Sequence, residues 1–152
     1  MSEPTADRAV LQMRLVVEAE DFDEAVAFYR DSLGLHEELS VSGDGGAEVI
    51  ILDAGRATLE LVNPAQKRYI DEVEVGRQVS RKIRVAFQVS DGGSVTERLV
   101  SSGADLIASP VETPWRSRNS RMEAPAGLQI TLFEELQAEI PGPGEQGDRD
   151  NR

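Results

Sequence analysis

Two arginines with similar neighbours are the residues of this chain best suited to binding chemistry. Arg14 opens the run Arg-Leu-Val-Val-Glu-Ala-Glu-Asp, and Arg84 opens the run Arg-Val-Ala-Phe-Gln-Val-Ser-Asp, 70 residues further on. A planar guanidinium group forms two parallel hydrogen bonds with a carboxylate or a phosphate. The repeat therefore indicates a domain of two similar halves, and a site between such halves would take matching residues, including the two arginines, from both.

Each half is predicted to contain one strand, one helix and three further strands. The predicted strands fall at 13–18, 37–42, 47–52 and 57–62 in the first half, and at 83–89, 105–109, 118–123 and 128–133 in the second. The helices follow Asp21 and Asp91, because an Asp before an apolar helical pattern accepts a backbone N–H and caps the helix. Asn63 and Pro64 start a connecting helix that runs to about Val75, and its charged residues predict a mostly exposed linker.

These elements predict one domain at residues 12–136, made of modules at about 12–63 and 82–136 and a linker at 64–81. Residues 1–11 are predicted to be an N-terminal tail. Residues 137–152 are predicted to be a disordered C-terminal tail, since their many Gly, Pro and charged residues cannot bury enough apolar surface to become ordered.

The bulk composition restricts the class of partner. A net charge of -12 disfavours nucleic acid and anionic membranes, because both require a basic surface. The chain has no cysteine, so a disulfide, a thiol nucleophile or a thiolate metal site is excluded. The first residues lack the apolar run of a signal peptide, and no stretch is long enough to span a membrane. We therefore expect a cytoplasmic protein.

Three segments resemble the vicinal oxygen chelate superfamily, which includes glyoxalase I, bleomycin-resistance proteins and extradiol dioxygenases. They are the run 20–35 with Phe-Tyr-Arg-Asp-Ser-Leu-Gly-Leu, the run 125–134 beginning Pro-Ala-Gly, and Gly103-Ala-Asp-Leu-Ile with the later Thr113-Pro-Trp115. The resemblance covers about residues 12–136. It implies an α+β fold in which two βαβββ modules form a cupped, partly closed mixed sheet around a small-molecule site. It also implies a homodimer, as in many members.

Enzymes of that superfamily hold a divalent metal with four side chains, one from each of four strands. The resemblance places these positions at Arg14, Glu60, Arg84 and Thr131. Arginine stays protonated and offers no lone pair to a metal, so only Glu60 is a usual ligand. We therefore predict no tight metal at this place and no cofactor. The single histidine, His36, is expected at the surface, because one histidine cannot build a metal site alone.

Side chains two residues apart in a strand share a face, which predicts the residues that line the cup. The ligand-binding candidates are Arg14, Glu18, Glu60, Arg84, Gln88, Trp115, Gln129 and Thr131. Two interpretations remain open for the charged ones: a buried ion network that replaces the metal, or a site with one arginine free for a ligand. Trp115 either stacks on an aromatic ligand or covers the core or a dimer contact.

The neighbouring Arg116, Arg118 and Arg121 form a basic spot that is either solvated or attracts an anion. No catalytic residue is assigned. Glu60 is a weak candidate for a base, because a carboxylate beside an arginine tends to have a lowered pKa.

The favoured function is binding of a small organic molecule, anionic or aromatic, without a metal, with sequestration of a toxic or antibiotic compound as in the bleomycin-resistance branch. The alternative is a metal-dependent enzyme with a non-standard ligand set, which would be a lyase, isomerase or dioxygenase of the glyoxalase type. A third interpretation is an assembly subunit that no longer binds a ligand.

Overall fold

The computed structural model of the chain describes residues 11, 12, 14–58 and 60–136. The elements follow in the order α1 (Phe22–Val26), a π-helical continuation (Ala27–Ser32), β1 (His36–Ser42), β2 (Glu48–Asp53), α2 (Pro64–Glu74), β3 (Val85–Gln88), α3 (Gly92–Ser101), β4 (Asp105–Glu112), β5 (Ser117–Ala124) and β6 (Leu128–Glu135). The predicted α+β class is confirmed. The predicted tails, apart from Leu11, lie outside the described residues. No helix in the described ranges is long and apolar enough to cross a bilayer.

The second module has the predicted order of one strand, one helix and three strands. Its sheet has the strand order β3-β6-β5-β4, with β3 parallel to β6 and the other pairs antiparallel. The Asp91 side chain accepts a hydrogen bond from the backbone N–H of Ser94 at 3.1 Å, which caps α3 as predicted. One face of the sheet packs with α3 in a core whose fully buried members are Leu99, Met122, Ile130 and Leu132.

The first module is less complete than the sequence predicts. Asp21 caps α1 as expected, and β1 and β2 form the predicted antiparallel hairpin. The strands predicted at 13–18 and 57–62 do not form over the described residues of these segments, which are 14–18, 57, 58 and 60–62. A strand is stable when a neighbour pairs with its backbone and one face is buried, but Val16 is 88% exposed and Leu61 is 84% exposed. The hairpin is therefore a separate two-stranded sheet, and the sheet of the domain is not closed.

The two modules meet through their helices. The Tyr29 hydroxyl donates a hydrogen bond to the carbonyl oxygen of Pro125 at 2.9 Å, and Arg98 Nε donates to the carbonyl oxygen of Ser32 at 3.0 Å. Burial raises the pKa of Tyr29, so the phenol remains a donor. The π-helical continuation of α1 is followed by Gly34, and α3 is followed by Gly103. Both glycines have positive φ, the conformation that commonly ends a helix.

Helix α2 is not the exposed linker that its charged sequence predicted. Its side chains Ile70, Asp71 and Glu74 are buried, and the helix packs against β4 and β5. The prediction was wrong because a charged residue is buried when an opposite charge meets it, and that partner lies on β5, far away in the sequence. Helix α2 thus links the two modules and also covers part of the second.

Candidate functional site

Three of the predicted site residues lie together on the sheet of the second module. Arg84 Nη1 donates a hydrogen bond to Thr131 Oγ1 at 2.6 Å, and both Thr131 and Gln129 are 2% exposed. Along β6 these residues alternate with Ile130 and Leu132 of the core, so they point to the opposite face of the sheet. We call this the polar face; it carries Arg84, Ser117, Asn119, Arg121, Gln129 and Thr131.

The other predicted site residues are more exposed. Arg14, Glu18, Glu60 and Gln88 are all exposed, and Arg14 Nε donates to the nearby Gln12 Oε1 at 3.3 Å. Glu60 does act on Arg84 through its charge. The prediction that all these side chains line one cup required strands at 14–18 and 57–62, and the described residues of these segments form none.

Trp115 is half-buried and lies in the turn between β4 and β5. This position agrees with its place between the strands predicted at 105–109 and 118–123. Its ring centroid is 6.2 Å from that of Tyr69 on α2, with the two planes tilted by 51°. Aromatic pairs at this distance stabilise each other modestly. Trp115 therefore touches the helix that covers the polar face.

Arg121 is the centre of the polar face, and the sequence interpretation did not single it out. Its side chain is fully buried on β5. Nη1 donates to Asp71 Oδ1 at 3.0 Å and to Gln129 Oε1 at 3.1 Å, and Nη2 donates to Glu74 Oε1 at 2.6 Å. Two buried carboxylates from α2 thus compensate one buried guanidinium, as a charge removed from water requires.

Asp71 is held by more than this ion pair. Its Oδ2 accepts the backbone N–H groups of Val79 and Ser80, both at 2.8 Å, and its Oδ1 accepts the Ser80 hydroxyl at 2.6 Å. Burial alone would raise the pKa of Asp71, but the hydrogen bonds from Ser80, Val79 and Arg121 outweigh it and lower the pKa to about 2. Asp71 therefore fixes the segment that follows α2 as well as the helix itself.

A signal for Arg121 was present in the sequence. Met122 and Ala124 are apolar and belong to the core, so alternation along the strand places Asn119 and Arg121 on the opposite face. On α2, Ile70 and Glu74 are four residues apart, which puts both on the side that faces the sheet. Pairing these two faces would have predicted the buried ion cluster.

Two donors on the polar face have no hydrogen-bond partner among the residues that the structure describes. They are the Nε–H groups of Arg84 and Arg121, both buried. Burial lowers the pKa of Arg84, the charge of Arg121 lowers it further, and the carboxylates of Glu74, Asp71 and Glu60 partly offset this. A buried donor without an acceptor is costly. The polar face therefore has capacity for an additional acceptor group.

The described residues do not fit the metal site that the sequence resemblance implies. No group of three or more His, Cys, Asp or Glu residues is placed to hold an ion in the part of the chain that the structure describes. Of the four implied positions, Arg14 and Arg84 carry no lone pair for a metal, and the Thr131 hydroxyl accepts a hydrogen bond from Arg84. His36, at the start of β1, is exposed, as expected.

Two surface grooves lie away from the polar face. One, of about 310 Å³, lies between α1 and the β1–β2 hairpin and is lined in part by Phe22, Arg30 and Ile50. The other, of about 480 Å³, lies between α3 and β4. Neither lining includes Arg84 or Arg121, so the partner-free donors do not open into either groove.

Comparison with known proteins assigns the chain to a family. Residues 12–132 match the model of the Glyoxalase/Bleomycin resistance protein/Dioxygenase superfamily. No curated protein matches the sequence. Because the family model covers most of the chain, the protein belongs to this superfamily, as its sequence motifs predicted.

Solved structures share the fold at low sequence identity. A glyoxalase family protein from Bacillus cereus is 21% identical, with 88% of this chain and 100% of that chain covered and a TM-score of 0.58. TnmS3, an antibiotic binding protein from Streptomyces sp. CB03234, is 20% identical, with 85% and 99% covered and a TM-score of 0.55. A superfamily member from Sphaerobacter thermophilus is 20% identical, with 79% and 92% covered and a TM-score of 0.52. At these identities the likeness establishes the fold.

Proposed function

We propose that this chain binds a small organic anion at the polar face without a metal ion, and that it thereby sequesters a toxic or antibiotic compound. The observation that carries the proposal is the state of Arg84. Its guanidinium is largely buried beside Thr131, yet its Nε–H has no partner within the described ranges 11–12, 14–58 and 60–136. A ligand carboxylate, sulfonate or phosphate supplies both the missing acceptor and the missing counter-charge.

The replacement of histidine-type ligands by arginine favours binding over metal chemistry. Two of the four positions that hold the metal in family enzymes are Arg14 and Arg84 in this chain, and a guanidinium repels a cation. The same positive charge that rejects a metal attracts an anion. The carboxylates nearest to Arg121 are already engaged by its guanidinium, which makes them poor metal ligands.

An antibiotic binding protein has a similar fold. TnmS3 is an antibiotic binding protein with this fold, which supports a binding role for the present chain at the level of fold. Trp115 and Tyr69 lie beside the polar face as an aromatic pair. Because aromatic side chains stack well on flat ligands, we propose that the ligand has an aromatic part.

We further propose that the protein is a homodimer. Large apolar side chains are exposed along the two segments that fail to form strands, and next to Arg84; they are Leu15, Val16, Leu61, Val62 and Ile83. Large apolar side chains exposed in such number are typical of an interaction site. A second copy that pairs with these segments supplies the backbone partners that one chain does not provide, and it completes the cup.

The proposal is tested by ligand affinity in an Arg84→Gln variant. A panel of aromatic carboxylates is screened by thermal shift, and the affinity of the strongest ligand is measured by calorimetry. Loss of one charge-assisted contact should weaken binding roughly ten- to hundred-fold. Arg56→Gln, which removes an exposed arginine, is the matched control and should leave the affinity unchanged. Equal affinity in the Arg84→Gln variant and the wild type would rule out the proposed site.

A further inference from the structure

The guanidinium of Arg121 is unevenly occupied. Its Nη1 atom has several acceptors, including Asp71 at 3.0 Å. In the described part of the chain, Nη2 has Glu74 Oε1 at 2.6 Å as its acceptor and Nε has none. A carboxylate binds a guanidinium best through two parallel hydrogen bonds along one edge. The edge formed by Nε and Nη2 is therefore only half filled, in a side chain that is fully buried.

Glu74 holds this edge from an unfavourable position. It is the last residue of α2, where the negative end of the helix dipole repels a carboxylate. The last turn of α2 contains no basic residue that would compensate this repulsion. The other oxygen of Glu74, Oε2, accepts a hydrogen bond from Asn119 Nδ2 at 2.7 Å, so the carboxylate bridges Arg121 and Asn119.

Asp71 is anchored differently. Three hydrogen bonds from Val79 and Ser80 hold it independently of Arg121, and it compensates the charge of Arg121 from the opposite side of the guanidinium, at Nη1. Release of Glu74 therefore leaves the buried arginine paired. Gly76, with φ of 89°, follows the helix end, and its N–H donates to the carbonyl oxygen of Asp71 at 2.9 Å, so this end of α2 stays attached through Asp71 when Glu74 is released.

We infer that Arg121 and Asn119 form a binding site for the carboxylate of an organic acid, and that Glu74 is a built-in occupant that the ligand displaces. The incoming carboxylate accepts from Nε and Nη2 of Arg121 and from Asn119 Nδ2, while the Glu74 side chain turns away and the end of α2, no longer held to the sheet by Glu74, loosens around the anchored Asp71. The site rests on the proposed function in that the ligand enters over the polar face. The inference adds two features to that function: the ligand is a carboxylic acid, and Glu74 competes with it for the site.

The chain carries a reporter for this movement. Trp115 is its only tryptophan, and it lies 6.2 Å from Tyr69 on α2, measured between ring centroids. Opening of α2 changes the surroundings of the Trp115 ring and so changes its fluorescence. Hydrogen exchange of the backbone amides of α2 gives a second, independent measure of opening.

The test compares Glu74→Gln with Glu72→Gln. Both variants remove one carboxylate from α2, but Glu72 is exposed. The probe is benzoate, and uncharged benzamide is the control for shape. Because Glu74→Gln weakens the competing occupant, benzoate should bind this variant about ten-fold more tightly than it binds the wild type. Amides of α2 should exchange faster, and Trp115 fluorescence should change even without ligand. Glu72→Gln should behave as the wild type, and benzamide should not bind.

A gain of affinity separates this effect from damage to the fold, which would lower affinity. Benzoate that binds Glu74→Gln no more tightly than the wild type, or unchanged exchange of α2 amides in that variant, would overturn the inference. The role of Arg84 is tested separately by measuring benzoate binding to the double variant Glu74→Gln/Arg84→Gln. Tight benzoate binding that persists there would retain the Arg121 site and overturn the part of the proposed function that rests on Arg84.

Discussion

Arg121 Nη1 on β5 lies 3.0 Å from Asp71 Oδ1 on α2, and neither side chain is exposed to solvent. These residues are 50 positions apart in the sequence. The pair joins the connecting helix to the sheet of the second module, and Glu74 strengthens it from the same helix. The attachment of α2 therefore depends on buried charges more than on apolar contact, since Ile70 is its only fully buried apolar side chain among the described residues.

Replacement of Arg121 should be strongly destabilising. Arg121→Met leaves Asp71 and Glu74 buried without their counter-charge, and the free energy of unfolding should fall by about 3–5 kcal/mol. The measurement is urea denaturation followed by circular dichroism. Arg118→Met, on the same strand, is the control, because Arg118 is 42% exposed in its pair with Glu134, and this loss should cost about 1 kcal/mol or less. Similar losses in the two variants would contradict the central role of Arg121.

Acid should weaken the fold through Asp71. Its pKa is about 2 in the folded chain and 3.8 ordinarily, so the unfolded chain takes up the proton first as the pH falls. The contribution of Asp71 is complete above about pH 4, and on the order of 2 kcal/mol is lost as the pH approaches 2. Asp71→Asn should start less stable and show a shallower decline between pH 4 and 2 in urea denaturation. Parallel declines in the variant and the wild type would show that Asp71 does not titrate in this range.

Ala126 offers a test of local backbone strain. Its φ is 69° in the turn before β6, a conformation that costs an L-residue roughly 1–2 kcal/mol. Ala126→Gly removes this cost but makes the unfolded chain more flexible, so we expect a net stabilisation of about 0.5–1 kcal/mol. Ala124→Gly is the control. Because the φ of Ala124 is −119°, which any residue adopts, this substitution should destabilise the protein. Both are measured as melting temperatures, and a destabilising Ala126→Gly would contradict the assigned backbone geometry.

The apolar side chains exposed at 15–16 and 61–62 predict a dimer, and a charge introduced among them should disrupt it. Leu61 is 84% exposed, and Leu61→Glu places a carboxylate in the proposed interface, where burial of an unpaired charge is unfavourable. Size-exclusion chromatography with light scattering should give a dimer for the wild type and a monomer for the variant. Val100→Glu on α3, where Val100 is 38% exposed, should remain dimeric. A monomeric wild type would contradict the proposed homodimer.

Much of the fold was predictable because its signals are local. Asp21 and Asp91 cap their helices as the sequence predicts, and the hairpin around 43–46 and all four strands of the second module appear. The strands predicted at 13–18 and 57–62 in the first module rested on alternation and resemblance alone. Alternation identifies a segment able to pair, but it does not supply the neighbouring strand, and Val16 and Leu61 belong to no strand among the described residues.

The site was less predictable because it depends on contacts between distant segments. Arg84, Gln129 and Thr131 were identified through the face they share, and the structure brings them together. Arg121 was regarded as part of a basic spot near Trp115, and α2 as an exposed linker. Their pairing involves residues about 50 positions apart, and the charge of either segment alone is equally compatible with a solvated surface.

Metal analysis of protein purified without a chelator tests the central claim most directly. The ions released are quantified, and the melting temperature is then measured with added Mn, Fe, Ni and Zn. The resemblance assigns two of the metal positions to Arg14 and Arg84, and this assignment predicts far less than one ion per chain and no rise in melting temperature. One ion per chain, or a rise of several degrees that saturates at one equivalent, would contradict metal-independent binding and favour an enzyme with a non-standard ligand set.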